Sequence, residues 1–160
     1  MDQAAAMISQ QLTAWEQQNE RVNKLIESID TDALAAETAP GRNSGIYLLG
    51  HLAAVNDGML PLLGLGEKIH PELEDIFLKS PDKSGKAKPG LDTLKQYWKE
   101  INTVLTAKLR ALTPGEWMQR HTAVTEADFA KEPHRNRLNI LISRTVHQAY
   151  HLGQLMYLAK

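Results

Sequence analysis

Cysteine is missing from this chain altogether. Its absence excludes disulfides, thiolate-held zinc and a cysteine nucleophile. Any bound metal must be held by histidine, carboxylate or water. An excess of one charge is missing too: 18 Lys and Arg stand against 19 Asp and Glu, a formal net charge of -1 with neutral histidines. No global basic field draws in nucleic acid, so no nucleic-acid partner is expected. No apolar run approaches the roughly 18 residues of a membrane span. Residues 1–10 lack the basic start and long apolar centre of a secretion signal. These absences lead us to expect a cytoplasmic chain with no membrane partner. Strict polar–apolar alternation and internal repeats are also absent, which argues against a sheet protein or a solenoid. A length of 160 residues suits one domain, residues 1–160, able to bury a core without staples.

What the chain does have is helical periodicity. Over residues 2–29, the positions Ile8, Leu12, Trp15, Asn19, Val22, Ile26 and Ile29 follow spacings of four and three. That is one apolar stripe on a long helix. Asn19 is its single polar member, either hydrogen-bonded inside a bundle or facing a polar site there. Asp30 to Asp32 offer capping side chains, and Ala39-Pro40-Gly41 breaks the chain. A second helix starts at Asn43 or Ser44, carries Leu48, Leu52, Val55, Met59 and Leu62, and is ended by Pro61, Gly64 and Gly66. Residues 71–78 read as a short helix with Pro71 in its first turn, and His70 before it as exposed. Residues 81–90 read as a solvated loop with lysines in and beside it. The third long helix covers residues 91–112. Thr113-Pro114-Gly115-Glu116 then starts a short helix with a capping box, and Trp117 packs back on the bundle. Residues 120–135 read as polar and irregular. Residues 136–159 form the fourth long helix, apolar on most sides and so surrounded, either within a bundle or at a dimer interface. Gly153 in it suggests a close backbone approach. The fold class predicted is all-α, a four-helix bundle with a long crossover between the second and third helices.

The fourth helix carries the chemistry. His147 and His151 are four residues apart, so both rings project from one face, and Gln154 follows on it. Two imidazoles so placed can take two corners of a metal's coordination sphere. His51 borders the inward face of the second helix, where an aliphatic residue would pack at lower cost. Three neutral imidazoles make a nitrogen site for a divalent transition metal. Zinc or nickel leads, and iron, cobalt, manganese and copper also suit. The alternative for each histidine is a hydrogen-bonded ring in the core. Around this site, Gln154, Asp57, Asn56 and Asn19 are candidates to support the ligands, and Tyr47 and Tyr150 to orient substrate. Asp57, Asp128, Glu132 and His134 are the groups able to move a proton, and none stands out by spacing. His121, with Asp128, Glu132 and His134, reads as surface.

Two segments carry a resemblance. Ile46-Tyr47-Leu48-Leu49-Gly50-His51-Leu52-Ala53-Ala54 is similar to the second-helix histidine segment of the DinB/YfiT-like superfamily. His147-Gln148-Ala149-Tyr150-His151-Leu152-Gly153-Gln154-Leu155 resembles that family's HxxxHxGQ signature. The helix order and the Leu-Thr-Pro turn at 112–114 also look like it. The resemblance implies that His51, His147 and His151 are three metal ligands. It implies a metal-dependent enzyme, either a hydrolase or a thiol-dependent S-transferase, often dimeric, acting on a small molecule with a low-molecular-weight thiol as possible cosubstrate. The family's name refers to induction by DNA damage, a stress response, and not to chemistry on DNA. The rival expectation is a non-catalytic, metal-stabilised bundle or small-ligand binding module.

Overall fold

A computed structural model describes residues 3–159, and among these the chain is helical, with no strand beyond two isolated bridges. Four long helices dominate: α1 (Gln3–Ser28), α3 (Gly45–Leu62), α5 (Leu91–Ala111) and α8 (Arg137–Leu155). Between them lie four short ones: α2 (Thr31–Ala35), α4 (Leu73–Phe77), α6 (Pro114–Trp117) and α7 (Glu126–Lys131). The expected start of the first helix at Asp2 lies outside the described residues.

Local chemistry sets the helix starts. Ser44 caps α3, its hydroxyl accepting from Tyr47 N at 3.2 Å. Asp30 caps α2 through Ala33 N, and Asn136 caps α8 through Asn139 N at 2.9 Å. Thr113 and Glu116 form the expected reciprocal capping box of α6.

The apolar stripes bury against one another in two adjoining clusters. One joins Val22, Leu48, Leu52, Trp98 and Ile101; the other joins Trp15, Met59, Leu105, Trp117 and Leu141. Trp15, Trp98 and Trp117 are all buried, which anchors α1, α5 and α6. Each long helix packs on two others, α1 on α8 and α5, α3 on α5 and α8. Helices α1 and α5 run antiparallel, since Glu16 meets Arg110 at 2.5 Å while Asn23 accepts from the Trp98 indole at 2.7 Å.

Five sequence expectations need correction. Residues 126–131 are helical, because Thr125 caps a turn by accepting from Asp128 N. The fourth long helix ends at Leu155 and tightens into a 3-10 turn over Met156–Leu158. Pro71 stands outside the short helix, which begins after Glu72. His70 is not a free surface residue: it stacks on Tyr97 with ring centroids 3.6 Å apart and bonds Glu100 at 2.8 Å. His121 is buried rather than on the surface, and burial, helped by the Arg135 charge, pushes its imidazole pKa down. The lysines of the connection do sit at the surface or near it, each paired with a neighbour: Lys79 with Glu74, Lys83 with Glu37, Lys86 with Asp75, Lys88 with Asp82.

Candidate metal centre

His51 comes from α3, and His147 and His151 from successive turns of α8. The packing of α3 on α8 brings their rings together. Nε2 of His147 lies 3.2 Å from Nε2 of His51 and 3.0 Å from Nε2 of His151. All three ligand atoms fall within 4.8 Å of one another, and all three residues are half-buried.

The other face of each ring decides what those nitrogens offer. His51 Nδ1 lies 3.0 Å from the Phe77 carbonyl oxygen. A carbonyl only accepts, so Nδ1 carries the proton and donates, which leaves a lone pair on Nε2. His151 Nδ1 donates to Gln154 Oε1 at 2.6 Å, with the amide oriented so that its Nε2 donates to the Tyr150 hydroxyl at 3.3 Å. This again leaves a lone pair on Nε2. Two inward lone pairs therefore face His147. One N–H on His147 Nε2 serves at most one of them. His147 Nδ1 is sealed from solvent with no partner in either tautomer. The cluster cannot satisfy itself by hydrogen bonding alone.

A cation at the convergence would resolve this. Nitrogens bound to one ion at about 2.1 Å, at angles between square and tetrahedral, lie roughly 3.0–3.4 Å apart. The two close separations match. Protonation is also right for ligation. His147 is pushed down to about 4, first by burial and then by the charges of His151, His51 and Arg144. His151 is pushed down by burial too, against the hydrogen bond from Gln154. Both rings are neutral near pH 7 and ready to bind.

The Phe77 carbonyl reaches His51 because of Gly50. A Cβ on Gly50 would overlap the Phe77 ring. Without it, α4 seats against α3 and aims the last carbonyl of α4 at the next residue. Tyr47 donates its one hydroxyl proton to the Ser80 carbonyl at 2.6 Å, with Phe77 O 3.3 Å from the same oxygen, pinning the same stretch. Neither Gly50 nor Phe77 stands out in the sequence, because their contact spans 27 residues of chain.

The other sequence candidates scatter. Asp57 is buried, and its carboxylate accepts from Ile69 N at 2.8 Å and His70 N at 2.9 Å. It ties down the connection after α3 rather than supporting a histidine. Asn19 accepts from Gln148 Nε2 at 2.7 Å. Gln148 Oε1 in turn accepts from Asn56 at 3.3 Å, and Asn56 donates to Asn102 at 2.8 Å. These four amides, one from each long helix, form a chain through the core. Asp128 bonds Thr125, and Glu132 pairs with Arg135 at 3.1 Å. His134 is exposed in the turn before α8. Gln154, Tyr150 and Tyr47 adjoin the cluster, Tyr150 with its ring centroid 5.0 Å from that of His151 and Tyr47 stacked on His51 at 6.4 Å. Gly153 has no heavy atom within 4 Å of a built Cβ, so no close approach within the chain accounts for it.

Among the described residues, no helix is long and apolar enough to cross a membrane. No curated protein matches the chain. The three-histidine cluster on this all-helical frame fits a metal-binding protein, and the family model of the DinB superfamily matches residues 14–155. The chain belongs to the DinB superfamily.

Proposed function

We propose that this protein is a metal-dependent enzyme, with His51, His147 and His151 holding a divalent transition metal, zinc or nickel before the others. The observation that carries the reading is the pair of outward hydrogen bonds, from His51 to Phe77 O and from His151 to Gln154, which turn two lone pairs onto a third imidazole. When bound, such an ion supplies Lewis acidity and a low-pKa site for a thiol or water.

The chain's own residues hold and orient. Gln154 fixes the tautomer of His151, and the Phe77 carbonyl fixes that of His51. The three histidines are only half-buried, so the cluster is not sealed from solvent. The proton-moving candidates favour transfer over hydrolysis. Asp57, Asp128 and Glu132 are all engaged elsewhere, and His134 is exposed in the turn before α8. A thiol-dependent S-transferase needs less from them. The cosubstrate brings the sulfur, since the chain has no cysteine. A carbon–sulfur bond forms as the bond to the leaving group breaks, and the leaving group departs with the electron pair and takes the thiol proton. A low-molecular-weight thiol is the cosubstrate proposed.

The protein also pairs with a second copy in this reading. Ile142, Val146 and Tyr150 lie at spacings of four along α8 and are exposed, with Met156 and Tyr157 beyond them. An apolar stripe on a helix already packed on its other side supports a homodimer. Val146→Glu should leave a monomer by light scattering; a monomeric parent sinks the pairing.

The metal reading is tested by elemental analysis of untagged protein beside the triple variant His51/His147/His151→Ala. Near one ion per chain in the parent and none in the variant is expected. No ion in the parent after reconstitution, and no rise in Tm with zinc or nickel, removes it.

A further inference from the structure

Arg144 occupies the turn of α8 before His147. Ile140, Arg144, His147 and His151 fall at spacings of four, three and four, which puts them on one stripe of the helix. All four are half-buried. On α3, His51, Val55, Gly58 and Leu62 form a matching half-buried stripe. The two stripes meet where His51 reaches His147, and Gly64, just past α3, lies beside the Arg137 guanidinium. The helices therefore run antiparallel, and Val55, Gly58 and Leu62 share a seam with Arg144 and Ile140. A Cβ on Gly58 would have nothing within 4 Å, so the seam has open space.

Arg144 is out of keeping with the other partly buried arginines. Arg120 donates to Val124 O, Arg135 to Glu132, and Arg137 to Glu116 O. Arg144 makes no hydrogen bond or ion pair among the described residues, and its Nε is sealed from solvent without an acceptor. Only the Nη end of the fork is open. A guanidinium held this way loses hydration without gaining a counter-charge, which is unfavourable unless something else supplies one. Burial lowers its pKa, and its charge helps to depress His147.

We propose that Arg144 binds an oxyanion, a carboxylate or phosphate group, on the small molecule that reacts at the three-histidine site. The proposal rests on the metal-centre reading for what happens next to the anion, but the anion site itself is a property of Arg144. An open Nη1/Nη2 end meets two oxygens at once, a geometry lysine cannot copy. One helical turn, about 5 Å, separates Arg144 from the histidines, so an anionic group a few bonds from the reacting atom spans both.

The test separates the two claims. Metal-free, 15N-labelled protein is titrated with acetate and, separately, with inorganic phosphate, while the Nε–H resonance of Arg144 is followed. A saturable shift with either anion is expected, and the two arms distinguish carboxylate from phosphate. Cobalt-loaded parent, Arg144→Gln and Arg144→Lys are then titrated with the anion that bound, read by the visible cobalt bands. Arg144→Gln should keep one cobalt per chain and an unchanged fold by circular dichroism, yet bind the anion at least tenfold more weakly. Arg144→Lys should fall between. An Arg144 resonance that neither anion moves, or equal anion affinity in Arg144→Gln, overturns the proposal. So does a resonance that shifts with protein concentration alone, which assigns Arg144 to a subunit contact. Failure of the parent to bind cobalt removes the metal reading and leaves the metal-free titration to decide on Arg144.

Discussion

Two polar clusters lie side by side between α3 and α8, and they are built on opposite principles. The amide chain Asn19–Gln148–Asn56–Asn102 links donors to acceptors in sequence, and Asn102 donates onward to Trp98 O at 2.8 Å. Gln148 at its centre is fully buried. One residue away, His147 stands in a cluster whose members turn acceptors toward each other and cannot complete their own bonding. The first arrangement closes on itself and sets how the four helices register. The second leaves a convergent donor set that a cation would complete. Burial and polarity alone do not distinguish structure from function here; the direction of each donor does.

Breaking the histidine cluster should give the largest effect. His147→Ala is expected to abolish stoichiometric metal binding, a loss of at least a thousandfold in affinity, while the metal-free protein still melts cooperatively. Metal titration followed by elemental analysis measures it. Breaking the amide chain should do the reverse. Gln148→Leu leaves Asn19 and Asn56 buried and short of partners, and should lower stability by about 3 kcal/mol in urea unfolding, with one ion per chain retained. If Gln148→Leu instead removed the metal at unchanged stability, the two clusters would be one functional unit.

Acid should act on the histidine side alone. His147 has an ordinary value of 6.5 and is held down to about 4 in the folded, metal-free protein. Between these values the unfolded chain takes up a proton that the folded chain refuses. The contribution is full above about 6.5 and is lost as pH falls toward 4, with His151 acting in the same direction. The full shift would be worth about 3 kcal/mol, and solvent screening of a half-buried ring brings the decline expected for the parent to roughly 2 kcal/mol, with a flatter profile for His147→Ala. The smallest change sharpens the comparison from the edge of the cluster. Gln154→Leu removes the acceptor that fixes the His151 tautomer, and should weaken metal affinity about tenfold, or roughly 1.4 kcal/mol. Competition with a chromophoric chelator resolves it.

Much of this was legible in the sequence. The four long helices follow from unbroken four-and-three apolar spacing, and His147 with His151 from the same geometry. Nearness in sequence alone misplaces Asp57. Six residues on from His51 is about two-thirds of a turn round the helix, so it faces away from the histidines and toward the connection it secures. Gln148 has a local signal: with Leu141 and Leu155 it forms the seven-residue repeat that is the truly buried line of α8. The helix at 126–131 lacks an apolar stripe, and only the Thr125 cap announces it. What no local pattern carries is the seating of Phe77 against Gly50, or the lack of a partner for Arg144 among the described residues. Both depend on which distant elements come together.

The group that orients His51 is a main-chain carbonyl. Every amino acid at position 77 supplies one, so no point substitution there deletes the acceptor. Vulnerability moves instead to a residue with no polar side chain. A methyl group added at Gly50 would push α4 away, turn the His51 ring loose and let its proton move to the inward nitrogen. The protonation state of a candidate metal ligand in this protein is thus set by the steric emptiness of its sequence neighbour.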